Sequence, residues 1–157
     1  MFLIMVLTGC SIGQSKTSYE VVEDPLIIQA KAQMALNNFL SHLEMKQYQQ
    51  ATQYFGGSYD YLKELNPNIN NTSAHNYLKH FCESNSGICL PFTIKSQKKI
   101  DENVFVFQVQ YFEDNGQLFI NGCGCGGIDQ EKKDKFNFSV RKEGEKYYVV
   151  DLPPIRK

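Results

Sequence analysis

The sequence predicts an α+β domain in which several helices precede a meandering antiparallel sheet. Apolar residues recur at a helical period before Gly87 and at a period of two after it. The turn signals Asn115-Gly116 and Gly144 separate the alternating runs, so the strands are expected to join through hairpins. Helices first and strands afterwards is the α+β order, not the strand–helix alternation of a parallel sheet.

Asp24-Pro25 opens the domain, with Asp as N-cap and Pro at the first helical position, where its missing N–H costs nothing. Ile28, Ala32, Ala35, Phe39, Leu40 and Leu43 then recur at helical spacing. Lys31, Gln33, Asn37 and Asn38 lie opposite, so this is a long amphipathic helix. A second helical piece covers 48–55, with Ala51 and Phe55 on one side, and stops at Gly56-Gly57. A third, 59–65, is stopped by Asn66-Pro67. Thr72 or Ser73 is placed to cap a fourth, which buries Tyr77, Leu78 and Phe81.

Beyond Gly87, Phe92, Ile94 and Ser96 alternate with Thr93 and Lys95. Phe105, Phe107, Val109 and Tyr111 share one face. A two-residue turn at Asn115-Gly116 leads into a strand over 118–120. Phe136, Phe138 and Val140 alternate with Asn137, Ser139 and Arg141; Gly144 then turns the chain into a last strand over 147–152, closed by Pro153-Pro154. One curved sheet of four to five strands, with the helices packed in its concave side, satisfies every apolar face.

Two stretches carry a resemblance to a known superfamily. "NNFLSHLEMKQYQQATQYFGGSY" reads as helix, short polar break and alanine-marked second helix, and "FNFSVRKEGEKYYVVDLPPI" closes the domain. The plan resembles the cone-shaped nuclear transport factor 2-like superfamily, in particular its small exported bacterial lipoproteins of unknown function. The likeness spans 26–155 and is one of fold pattern, not of a catalytic signature. It implies a cone whose lining takes a small apolar ligand; Phe39, Tyr54, Phe107 and Tyr111 are the expected lining. Sheets of this kind often pair face to face, so a homodimer and a tethered monomer are both compatible with it.

The first residues, "MFLIMVLTGCS", read as an address label. An apolar run over 2–7 is followed by Thr8, Gly9 and Cys10, and Leu7-Thr8-Gly9-Cys10 resembles the lipobox of bacterial lipoproteins, in which the cysteine is acylated and becomes the mature N-terminus. No Lys or Arg precedes the run, which implies a start a little upstream. The apolar run is far short of the roughly 20 residues a membrane helix needs. Residues 1–9 are thus expected as signal, 10–24 as flexible tether and 25–157 as one domain, lipid-anchored through Cys10 on the outer side of a membrane in the cell envelope. The domain is long enough to bury one ordinary core. Sixteen basic residues against seventeen acidic ones give a formal net charge of −1, which supplies no electrostatic reason for a nucleic-acid partner. The expected partners are the membrane, an envelope protein or a small apolar ligand.

Setting Cys10 aside, Cys82, Cys89, Cys123 and Cys125 remain, an even number in an oxidising compartment, and disulfides are expected. Three connectivities are open. Cys82 and Cys89 bracket the turn-rich "ESNSGI", an easy loop to close. Cys123 and Cys125 in "NGCGCGG" can pair with each other or each reach across to the first pair. A zinc site from all four has the wrong spacing, six residues and one between ligands instead of two to four. A thiol-exchange role wants a helix N-terminus or a neighbouring cation that the glycine-rich stretch does not offer. No metal and no cofactor is expected, with a redox or metal module as one alternative.

The other alternative is enzymatic. Isomerases and dehydratases of the resembled superfamily hold an acid–base residue and a tyrosine inside the cone, where burial shifts their pKa values. His42, Tyr54, Tyr59, Asp60, Tyr61, His75 and His80 are the residue types present, but none falls into a matching pattern. His75 and His80 are five apart and do not share a helix face. No catalytic residue is assigned; the expected role is binding without catalysis.

Overall fold

Asp24 starts the first helix as its position demands. Its side chain accepts the Leu26 N–H at 2.8 Å and Pro25 occupies the first turn, so α1 runs Pro25–Glu44. The computed structural model describes residues 23–67, 73–122 and 132–156. Three further helices follow: α2 (Tyr48–Ala51), α3 (Asp60–Leu65) and α4 (Ala74–Glu83). The sheet comes after them as β1 (Phe92–Lys99), β2 (Val104–Tyr111), β3 (Phe136–Glu143) and β4 (Lys146–Val149). The strands lie side by side in the order β1-β2-β3-β4, each antiparallel to the next, in an open sheet. The chain is an α+β domain with its helices N-terminal to its strands. No described helix is long and apolar enough to cross a membrane.

Register decides which side chains meet the helices. Phe105 stands opposite Val140, Phe107 opposite Phe138, and Val140 opposite Val149, so these residues share one face of the sheet. Against that face α1 lays Ala32, Ala35, Leu36, Phe39, Leu40 and Leu43, and α4 contributes Tyr77, Leu78 and Phe81 to the same core. Phe39 and Phe107 are wholly buried and Tyr111 is 1 % exposed, so these expected lining residues fill the interior. Each such aromatic contributes about 1.5–3 kcal/mol by leaving water.

Four local expectations are corrected. α2 is a single turn, because the chain leaves the helix to pair with the sheet: Val149 donates to the Tyr54 carbonyl at 2.8 Å and Gly56 donates to the Val149 carbonyl at 2.9 Å, a parallel bridge. The hairpin after β2 is wider than two residues. The Gly116 N–H bonds the Glu113 carbonyl at 2.8 Å, and Gly116 alone takes the left-handed conformation at φ 78°. The following segment, 118–120, makes one isolated bridge, Phe112 to Leu118, instead of a strand; it buries Phe119 and leaves Ile120 51 % exposed. The last strand ends at Val149, because Val150 turns its N–H to the Ser139 carbonyl and the Asp151 carboxylate accepts the Ser139 N–H at 2.6 Å.

The Gly56-Gly57 pair makes the parallel bridge sterically possible. A Cβ on Gly56 would sit 2.7 Å from the Tyr148 Cβ, and one on Gly57 would sit 2.3 Å from the Val150 carbonyl oxygen. Only glycine lets the two backbones approach this closely.

Candidate functional site

The parallel bridge holds Tyr54 beside β4 and so builds one wall of a groove. Its cavity of about 590 Å³ lies between α1 and the β3–β4 hairpin. Met34, Ala35 and Asn38 from α1 face Tyr147 and Tyr148 from β4, Tyr54 and Gln53 line another side, and Lys31, Glu145 and Lys146 are charged members. Helical spacing puts Lys31, Ala35 and Asn38 in one row, and the two-residue turn at Gly144-Glu145 brings β4 back under it. Gly144 takes φ 60°, as that turn requires.

Tyr147 is the unusual member. It is 7 % exposed, it packs against Phe105 at 6.4 Å between ring centroids, and its hydroxyl has no hydrogen-bond partner among the described residues. A buried hydroxyl left unmade costs about 1–3 kcal/mol. Around it stand two lysines. The Lys142 Nζ lies 5.9 Å from the Tyr147 ring centroid, and Lys31 shares the groove lining with Tyr147 and with Glu145, whose charge acts on it. Glu23, just before the α1 cap, bridges both ammonium groups: Lys31 donates to it directly and the Lys142 Nζ is 3.6 Å away. That hydrogen bond from Lys31 holds the Glu23 carboxyl below its ordinary range and raises Lys31 in return.

The other tyrosines are structural by their surroundings. Burial holds Tyr111 well above the ordinary phenol value; its hydroxyl, too, has no partner among the described residues. Burial pushes Tyr59 up to about 12, and burial followed by its hydrogen bond to Glu83 pushes Tyr48 up to about 12. At neutral pH all three keep their proton and stay neutral, able to donate and to accept.

The residue types that suggested acid–base chemistry do not assemble. His42 stacks on Tyr54 at 5.8 Å and its Nδ1 is 2.7 Å from the Gln47 amide oxygen. Asp60 bonds Ser58 and Lys63 in the open and Tyr61 is 47 % exposed, while His75 and His80 ride on α4. No Asp, Glu or His is buried among the described residues. Of the four expected lining residues, Tyr54 borders this groove, while Phe39, Phe107 and Tyr111 are buried in the core.

Cys82 and Cys89 are bonded to each other, with Cα atoms 5.6 Å apart, which selects the local pairing for these two and leaves neither sulfur as a thiolate ligand. Cys10, Cys123 and Cys125 lie outside the described residues. Among the described residues no three His, Cys, Asp or Glu side chains group as a metal site. The bonded loop is tied down further: Gly87 donates to Phe81 at 2.9 Å, Ile88 to Pro154 at 2.8 Å, and Arg156 to Ser86 at 2.8 Å. The Arg156 guanidinium bonds both Glu113 oxygens, at 2.9 and 3.0 Å, and lies 5.0 Å from the Phe119 ring centroid.

No family model, no curated protein and no solved structure matches this chain.

Sequence reasoning missed Glu23, Lys31, Lys142 and Tyr147. Lys31 reads as part of the polar face of α1, and Lys142 and Tyr147 come from the β3–β4 hairpin more than a hundred residues later. The alternation in β4 does hold a signal: it sends Tyr147 inward with Val149, and an inward tyrosine needs a partner for its hydroxyl.

Proposed function

We propose that the chain is a non-catalytic ligand-binding domain of the cell envelope, carried on a lipid at Cys10, whose site is the groove between α1 and β4. The observation that carries the binding role is the groove itself: about 590 Å³, walled by Met34, Ala35, Tyr54 and Tyr148, with the buried Tyr147 hydroxyl lacking a partner among the described residues. Apolar walls with a few convergent polar groups are the usual make-up of a small-molecule site. The Leu7–Cys10 sequence and the Cys82–Cys89 bond support an oxidising, extracytoplasmic setting. The resemblance to the nuclear transport factor 2-like superfamily belongs to this proposal, with one change: the ligand sits outside the filled interior. An isomerase or dehydratase role has no facing acid–base pair among the described residues to support it.

Two measurements test it. Nile red, a neutral apolar dye, should brighten on binding the wild-type protein, and Asn38→Trp, which lays an indole across the groove, should abolish the response. Equal brightening in both proteins removes the groove from consideration. Intact mass of protein extracted from bacterial membranes should show loss of residues 1–9 and added acyl chains; an unprocessed chain removes the anchor.

A further inference from the structure

Lys31 links the groove lining to a charged corner beside it. Lys31 and Lys142 converge on one carboxylate, that of Glu23, next to a buried hydroxyl with no partner among the described residues. Glu145 also acts on Lys31, from the hairpin turn, without bonding it. Glu23 is not part of α1. The helix is capped by Asp24, whose own side chain bonds Leu26, so Glu23 can swing away without unwinding a turn. Its partners are only partly exposed, 42 % for the Lys31 side chain and 22 % for that of Lys142, which screens them less than surface charges.

We propose that this corner is a carboxylate subsite, filled by Glu23 in the empty protein, and that the groove takes an amphipathic monocarboxylate whose acid group displaces Glu23. This rests on the groove being the binding site. The arriving carboxylate replaces one already accommodated there, so the two ammonium groups keep their counter-charge. The Glu23 carboxylate does not bond the Tyr147 hydroxyl; a ligand carboxylate seated closer to β4 would accept from it, and that hydroxyl costs free energy while it stays unpaired. The apolar body then lies along Met34, Ala35, Tyr54 and Tyr148, whose exposed surface it covers. Glu23 thereby acts as an internal competitor, and the ligand must outcompete it.

Displacement of Nile red by decanoate, decanol and decyl sulfate tests the inference in wild type, Glu23→Gln and Lys31→Met. Decanoate should displace the dye at about tenfold lower concentration than decanol. Glu23→Gln removes the competitor and should tighten decanoate by about fivefold, leaving decanol unchanged. Lys31→Met should bring decanoate down to the level of decanol. Equal potency of decanoate and decanol, or no change in Glu23→Gln, overturns the carboxylate subsite while leaving the groove standing. Decyl sulfate matching decanoate overturns it in favour of a general anion site. A dye signal unaffected by Asn38→Trp removes the groove instead, so the two failures are separable. Glu23 and Lys31 are partly exposed, and circular dichroism checks that both variants fold.

Discussion

At the α4–β1 end of the domain a covalent bond, three backbone hydrogen bonds and a two-pronged ion pair converge on residues 81–89 and 153–156. At the α1–β4 end no disulfide among the described residues holds the elements. There, aromatic packing and one parallel bridge do the work, and beside them lie a cavity and an unpartnered buried hydroxyl among the described residues. Redundant constraint suits a scaffold. A region that must admit another molecule has to keep some polar groups unsatisfied and some surface uncovered, at a cost in local stability.

The largest expected effect tests whether packing alone holds the groove end. Phe39 is wholly buried and stacks on Phe55 at 5.4 Å, so Phe39→Ala should cost about 3–5 kcal/mol in a urea titration. A loss below about 1 kcal/mol would mean that this end tolerates a void. Removing the staple comes next. The double change Cys82→Ala, Cys89→Ala should cost about 2–3 kcal/mol and leave Nile red binding as it was. A dye response lost along with the disulfide would show that the two ends are coupled, and the contrast would collapse.

Gly57→Ala sits between these regimes. The added Cβ meets the Val150 carbonyl at 2.3 Å and the Phe55 ring at 2.6 Å, so thermal unfolding should report a loss of about 1–3 kcal/mol. The wall carrying Tyr54 should shift as well, with weaker dye binding. The smallest effect is the sharpest. Tyr147→Phe deletes an unmet hydroxyl and should leave stability unchanged or raise it by up to about 1 kcal/mol, while weakening decanoate. A clear destabilisation would reveal a partner for that hydroxyl and end the argument for a spare donor.

Much of the architecture was legible because it follows from periodicity and caps. Asp24-Pro25 fixed the start of α1, Phe105 to Tyr111 fixed the buried face of β2, and "ESNSGI" marked the loop that Cys82 and Cys89 close. Gly56-Gly57 misled, since a glycine pair after a helical run is read as a stop signal. Its role is close approach to a strand some ninety residues later, which no local rule encodes. The candidate site was hidden for the same reason. Lysine on a polar helix face is ordinary, and it acquires meaning only when the β3–β4 hairpin sets Lys142 and Tyr147 beside it.

The bridge at Val149 also bears on how molecules of this kind can associate. It covers the end of the outer edge of β4, and the rest of that edge is only a few residues long. The opposite edge, β1, is eight residues long, irregular between Ile94 and Ser96, and studded with Lys95, Lys98 and Lys99. Growth by strand addition needs two usable edges on every molecule; among the described strands β4 offers a short, partly covered one and β1 a charged, irregular one. Among the described strands this disfavours repeated backbone association along the sheet edges.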